Sequence, residues 1–245
     1  MRIFVIGQCT LHWGRMEFGN IGNYYVIEPF FRELHRVYPE ADILTTFQMS
    51  DQFCKKVNIT CVPMDEYYGW KEEDLTNSYR DYAIANVYKT TGEIIEHTPY
   101  VDDVLKSDLV IDYSGDIWGQ NADLVGRNRF LIGLLKDRTA QLLGKPTVML
   151  AGSPGPFTND ETLPFAREVF ANFKFVTNRE PISTSAGLSN VMIWPSVISW
   201  ATPRPATIST SVATIGWMPK PATSMPFQNP ARVARASAAR TGMIQ

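Results

Sequence analysis

Ser107-Asp108-Leu109-Val110-Ile111-Asp112-Tyr113-Ser114-Gly115-Asp116 sets a short apolar run against an abruptly polar, glycine-bearing turn. An apolar run without alternation is what a strand buried on both faces of a parallel sheet requires. The residues that follow decide the fold class. From Asp123 to Leu143, Leu124, Leu131, Leu135 and Leu142 recur on one helical stripe with Phe130 and Leu134 beside it. Gly144-Lys145-Pro146 then supplies a glycine stop followed by a proline. Thr147 to Ala151 is a second apolar run, so strand, helix and strand succeed one another as a crossover over a parallel sheet demands.

The same alternation extends outward. Arg2-Ile3-Phe4-Val5-Ile6-Gly7 reads as the first strand, and a loop with Gly14, Gly19 and Gly22 leads to a helix on which Tyr24, Ile27, Phe31, Leu34 and Tyr38 recur. Pro29 is expected in the first turn of that helix or at a kink. Ile43 to Phe47 and Ile59 to Val62 read as the next strands, with a short polar helix between them. Met64 to Thr98 is rich in tyrosine and reads as helices covering the sheet, the alternative being an inserted substrate-facing segment. Phe165 and Val169 mark another helix, and Phe175-Val176-Thr177 another strand. The expected class is α/β: a Rossmann-like, mostly parallel sheet with flanking helices.

Composition limits what such a fold could serve. The chain has 245 residues, 44% hydrophobic and 20% charged, which excludes a disulfide mini-protein and a fully disordered chain. Its formal net charge is -2, so no global basic excess recruits nucleic acid or an anionic membrane. Cys9, Cys54 and Cys61 form no C-x-x-C pair and are expected as reduced thiols. The apolar start is too short for a signal peptide or a span, so a soluble cytoplasmic protein without an integral membrane segment is expected.

The charge is unevenly spread. No acidic residue follows Glu180, while Arg204, Lys220, Arg232, Arg235 and Arg240 do. Eight of the 16 prolines also lie beyond it, in stretches such as Ala201-Thr202-Pro203-Arg204-Pro205 that show neither helical nor strand periodicity. Two regions are therefore expected: a Rossmann-like domain over 1–195 and a low-complexity, irregular tail over 196–245. A flexible extension, a basic docking arm and an out-of-frame translation all remain open for that tail.

In an open parallel sheet, ligands bind beyond the carboxyl ends of the strands, and the polar loops fall there. Asn20, Gly22 and Asn23 precede the first helix, where glycines allow close backbone approach and the helix start favours an anion; a plain helix-capping turn is the alternative. Ser114, Gly115 and Asp116 follow the strand at Ile111, and the carboxylate suits a sugar hydroxyl, a metal or a turn cap equally. Ser153 and Gly155 lie in a loop stiffened by Pro154 and Pro156, either a ligand wall or a rigid connector. Arg179, Glu180 and Ser183 follow the last strand; the guanidinium suits a carboxylate or phosphate, or pairs with Glu180 at the surface. His12, His35 and His97 share no ligand spacing with the cysteines, and neither a nucleophile elbow nor a Walker loop is present.

Taken in order, Gly19-Asn20-Ile21-Gly22-Asn23, Ser107 to Asp116, Gly144-Lys145-Pro146 with Gly152 to Phe157, and Asn178-Arg179-Glu180 with Ser183 and Leu188 resemble the N-terminal half of the polysaccharide pyruvyl transferase family. The resemblance covers about residues 1–195. It implies one half of a GT-B-like architecture, and transfer of a pyruvyl group from phosphoenolpyruvate to a sugar of a cell-surface polysaccharide. It also implies no cofactor and no metal, with phosphoenolpyruvate and a glycan acceptor as partners. Oligomer formation and peripheral association with membrane-bound glycan synthesis stay open. Arg179 would grip the anionic donor; the catalytic acid is not identified.

Two departures accompany the resemblance. Asn23 stands where the family's first loop carries aspartate, and Ser114-Gly115-Asp116 where a glycine run is common. The family's second half is not recognised after Pro195, so the chain alone is expected to be weakly active. A nucleotide-sugar glycosyltransferase and a non-catalytic glycan-assembly subunit are the alternatives.

Overall fold

The computed structural model describes residues 1–7, 21–115, 118–119, 122, 128–178 and 192–193. The chain divides into two units, Met1–Val197 and Ile198–Gln245, and every described residue belongs to the first. The expected tail over 196–245 lies outside the described residues.

The described chain runs β1 (Arg2–Ile6), α1 (Ile21–Val37), β2 (Asp42–Thr45), α2 (Asp51–Val57), β3 (Thr60–Cys61), a 3-10 turn (Met64–Glu66), α3 (Asp74–Thr91) and α4 (Pro99–Lys106). It continues with β4 (Leu109–Asp112), α5 (Arg129–Leu142), β5 (Thr147–Gly152), α6 (Leu163–Ala171), β6 (Phe175–Asn178) and β7 (Met192–Ile193). The strands form one sheet in the order β3-β2-β1-β4-β5-β6-β7, and every pairing is parallel. The expected α/β class is therefore the observed one.

Both faces of the sheet are covered, which explains the unbroken apolar runs. Ile3 and Val5 pack with Ile43, Ile111 and the α1 residues Ile27, Phe31 and Leu34. Phe4 and Ile6 pack on the opposite face with Val110, Tyr68, Tyr100, Ile132 and Leu135. A third cluster joins Trp118, Phe130, Leu134, Met149, Val169 and Val176 beneath α5 and α6. Each fully buried side chain of this size contributes about 1.5–3 kcal/mol.

The tyrosine-rich stretch is helical over Met64–Glu66 and Asp74–Thr91, with Tyr67, Tyr68 and Trp70 in the connection between them. Tyr68, Tyr82 and Tyr100 are buried in the cluster beneath α5. One ion pair is buried with them: Lys136 Nζ lies 2.6 Å from Asp81 Oδ2, with side chains 3% and 4% exposed. The Thr98 hydroxyl donates to Asp81 Oδ1 at 2.6 Å, and the ammonium sits 4.3 Å from the Tyr100 ring centroid. Burial pulls the Lys136 pKa down from its ordinary value against the opposing pull of Asp81.

Element ends follow local chemistry. The Ser50 hydroxyl caps α2 by accepting from Phe53 N at 3.2 Å, and Thr98 caps α4 ahead of Pro99. Gly144, at φ 79°, ends α5 where the glycine stop was expected. The start of α5 differs from expectation. Asn128 adopts left-handed φ 54°, ψ 34°, which no α-helix can pass through, so α5 begins at Arg129 and not at Asp123. Pro29 falls inside α1 beyond its first turn, removing the N–H that would have bonded Tyr25.

Among the described residues no helix is long and apolar enough to cross a membrane. Cys54 and Cys61 are free thiols with their sulfurs 3.3 Å apart, and burial pushes the Cys61 pKa up to about 12. Cys9 lies outside the described residues.

Candidate functional site at the strand tips

Because all seven strands are parallel, their carboxyl ends share one edge. The chain leaves β1 for β2 and β3 on one side and continues to β4, β5 and β6 on the other, so the topological switch point lies between β1 and β4. The exits of these two strands meet there. A β-carbon on Gly7 would come within 3.0 Å of Ser114 Oγ and of the Phe47 ring, so the residue ending β1 must be glycine for Ser114 to sit against it. Thr46, beyond β2, closes the β1 exit: its hydroxyl donates to Gly7 O at 2.7 Å and accepts from Gly7 N at 3.1 Å.

Asp112 organises the turn after β4. It is fully buried, its Oδ1 accepts from Ser114 N at 2.7 Å, and its Oδ2 accepts from the Trp118 indole N–H. Ser114 Oγ lies 3.3 Å from the buried Tyr67 hydroxyl. Tyr113 stacks on Phe30 of α1, ring centroids 4.1 Å apart, which anchors that helix beside the β4 exit. Asp137 of α5 is equally buried and lies against Asp112, and no other described residue bonds its carboxyl oxygens. Burial, followed by the neighbouring Asp112 charge, pushes Asp137 far above the usual carboxylate range. Burial thus disfavours the charged form of Asp137 most strongly, while Asp112 is the carboxyl that accepts from Ser114 and Trp118.

The loop after β5 is tied to the same turn. Ser153 N donates to Gly115 O at 2.9 Å, and Gly155 N donates to Trp118 O at 2.6 Å. Gly119 and Gly155 approach backbone to backbone so closely that a β-carbon on Gly119 would overlap the Gly155 carbonyl. Gly119→Ala is expected to push these loops apart at a cost of about 1–3 kcal/mol. Urea unfolding of the variant checks this, and a midpoint equal to the parent's would refute the contact.

The structure thus bonds Ser153 directly to Gly115, beside Ser114, and Gly155 to Trp118 further along the same segment. Gly22 and Asn23 lie in the first turn of α1, which carries no acidic residue. Asn20, Asp116, Arg179, Glu180 and Ser183 lie outside the described residues. Thr46, Trp118 and Asp137 also belong to this edge and carry no sequence signal, whereas Tyr67 stands in the tyrosine-rich stretch and Asn178 in the stretch that carries the family resemblance.

A separate polar cavity of about 260 Å³ lies among the 3-10 turn, α3 and the start of α4, lined in part by Asp65, Glu66, Asn77, Asp81, His97 and Lys136. Burial, reinforced by Asp103, pushes the Glu66 pKa up to about 7. His97 Nδ1 lies 2.6 Å from Asp102 Oδ1, and His35 Nε2 lies 2.9 Å from Asn58 O.

A family model described as polysaccharide pyruvyl transferase matches residues 20–198. The chain belongs to that family. Comparison with curated proteins and with solved structures gave no match. As a member of the polysaccharide pyruvyl transferase family, the chain is expected to act as a transferase, with a glycan as acceptor. The matched span begins at Asn20, at the entry to α1, and takes in the exits of β4, β5 and β6.

Proposed function

We propose that the chain serves the transfer of a pyruvyl group from phosphoenolpyruvate to a sugar of a cell-surface polysaccharide, with the strand tips as the donor-binding wall. The observation that supports this most is the backbone junction of the β4 and β5 exits, Ser153 to Gly115 and Gly155 to Trp118, next to the switch point of a parallel sheet in a member of this family.

The reaction has definite demands. The methylene carbon of the enol phosphate takes a proton, the neighbouring carbon takes two sugar oxygens, and phosphate departs. One hydroxyl proton ends on carbon and the other leaves with phosphate. Donor charge must be held while this happens, and preorganised N–H groups and cations do so best. The acid-free first turn of α1 offers N–H donors and a positive dipole end, and Arg179 offers a planar guanidinium for a carboxylate or phosphate. The Ser114 and Ser153 hydroxyls suit orientation more than proton transfer, because an unassisted hydroxyl is a weak acid.

Isothermal titration of the full chain checks the reading. Phosphoenolpyruvate is expected to bind saturably and to be displaced by inorganic phosphate. Arg179→Ala is expected to weaken binding about 10- to 100-fold, the worth of a charge-assisted contact. Saturable binding of a nucleotide-sugar with none of phosphoenolpyruvate would transfer the site to glycosyl transfer.

A further inference from the structure

We infer that Asn178 is a donor-orienting residue of the strand-tip site, its side-chain amide donating to an oxyanion, carboxylate or phosphate, of phosphoenolpyruvate; this rests on the function proposed above.

Asn178 ends β6 and is 0% exposed. Among the described residues neither its side-chain oxygen nor its nitrogen has a hydrogen-bond partner. An asparagine amide offers two donors and can accept twice, so a residue held for architecture alone would be expected to use some of that capacity. Its neighbours do. Thr46 bonds Gly7, Asp112 bonds Ser114 and Trp118, and Thr177 Oγ1 accepts from Ala151 N at 2.8 Å. At the exits of β2, β4 and β6, the polar groups that build the fold are thus already satisfied within it, whereas the Asn178 amide is not.

A second observation lies across the ladder. The register between β5 and β6 shifts between Met149 and Gly152, where Gly152 pairs with Asn178. Within that irregularity Ala151 has φ 54°, a left-handed conformation that a residue with a β-carbon adopts at a cost. Such bulges re-aim side chains beside binding sites, and this one sits between Asn178 and the Ser153 loop. The strained Ala151 directly precedes Gly152, the register partner of Asn178, and a ligand that completes the amide accounts for both the strain and the unsatisfied group.

The ligand class follows from the surroundings. Asn178 immediately precedes Arg179, the residue proposed to grip the donor, and its register partner Gly152 leads directly into the loop that carries Ser153 and Gly155. A neutral amide adds a directional donor to an anion without adding charge. It therefore sets orientation, and its loss should cost affinity for the donor without costing the fold.

Two variants of the full chain test this, Asn178→Leu and Asn178→Asp, each followed by thermal unfolding and by titration with phosphoenolpyruvate. Asn178→Leu is expected to keep or raise the melting temperature while weakening phosphoenolpyruvate binding at least tenfold. Asn178→Asp should weaken it further by placing a carboxylate beside the anion. An Asn178→Leu chain that melts earlier, or does not fold, overturns the inference, because the amide then has a structural partner. So does binding within twofold of the parent. Failure of the parent chain itself to bind phosphoenolpyruvate removes the proposed function along with this contact, and is told apart by appearing before any substitution.

Discussion

Replacing Asp112 with alanine is expected to lower the unfolding free energy by about 3–5 kcal/mol, because the Ser114 N–H and the Trp118 indole N–H lose their acceptor while still buried. Each unsatisfied donor costs about 1–3 kcal/mol, and the space left by the carboxylate adds to this. For a domain of this size that is a fall of roughly 8–15 °C in melting temperature. Binding should fall with it, since Ser114 and Gly115 are held in place by that turn.

Asp137→Asn behaves oppositely. Burial and the Asp112 charge raise the Asp137 pKa and so favour its neutral form, which an amide of the same shape replaces at a cost of about 1 kcal/mol or less. The pH dependence distinguishes the two residues. Both carboxyls have folded pKa values above the ordinary one, so the folded chain keeps a proton that the unfolded chain releases. Their contribution is fully present below the ordinary carboxylate range and is lost as pH rises from there toward the folded values. Asp137→Asn should flatten that slope. Urea unfolding at pH 5 and pH 7.5 reads both effects, and an Asp112→Ala chain as stable as the parent would remove Asp112 from the role given to it.

Lys136→Met should be comparably severe. Among the described residues it leaves the Asp81 carboxylate buried with the Thr98 hydroxyl as its one remaining side-chain donor, and removing one member of a buried ion pair costs about 3–5 kcal/mol. Adding Asp81→Asn to Lys136→Met removes the orphaned charge and should recover most of the loss. A double-mutant cycle of urea midpoints measures the coupling, and strictly additive effects would show that the two charges do not depend on each other.

The parallel sheet was legible because its strands are covered on both faces. Ile3 to Ile6 and Leu109 to Ile111 carry no polar residue, and period-2 reasoning has nothing to misread there. The end of α5 was equally plain from Gly144 and Pro146. Its beginning was not, because Leu124 keeps the helical stripe alive while one left-handed residue, Asn128, stops the helix. At the site, the turns at Ser114 and Ser153 were visible as polar loops after apolar runs. Asp137 was hidden. On paper it sits between Lys136 and Arg138 and looks like part of a solvated face, yet Asp112 and Asp81 lie far away in sequence and reveal that face as the inner one only once the chain is folded. No local pattern carries that information.

The exits of β4 and β5 are joined backbone to backbone, through Ser153 to Gly115 and Gly155 to Trp118, with no side chain as spacer where Gly119 meets Gly155. The two segments are consequently geared together. Neither can swing without dragging the other, so whatever displaces one displaces both, and this stretch of the sheet edge moves as a single stiff plate.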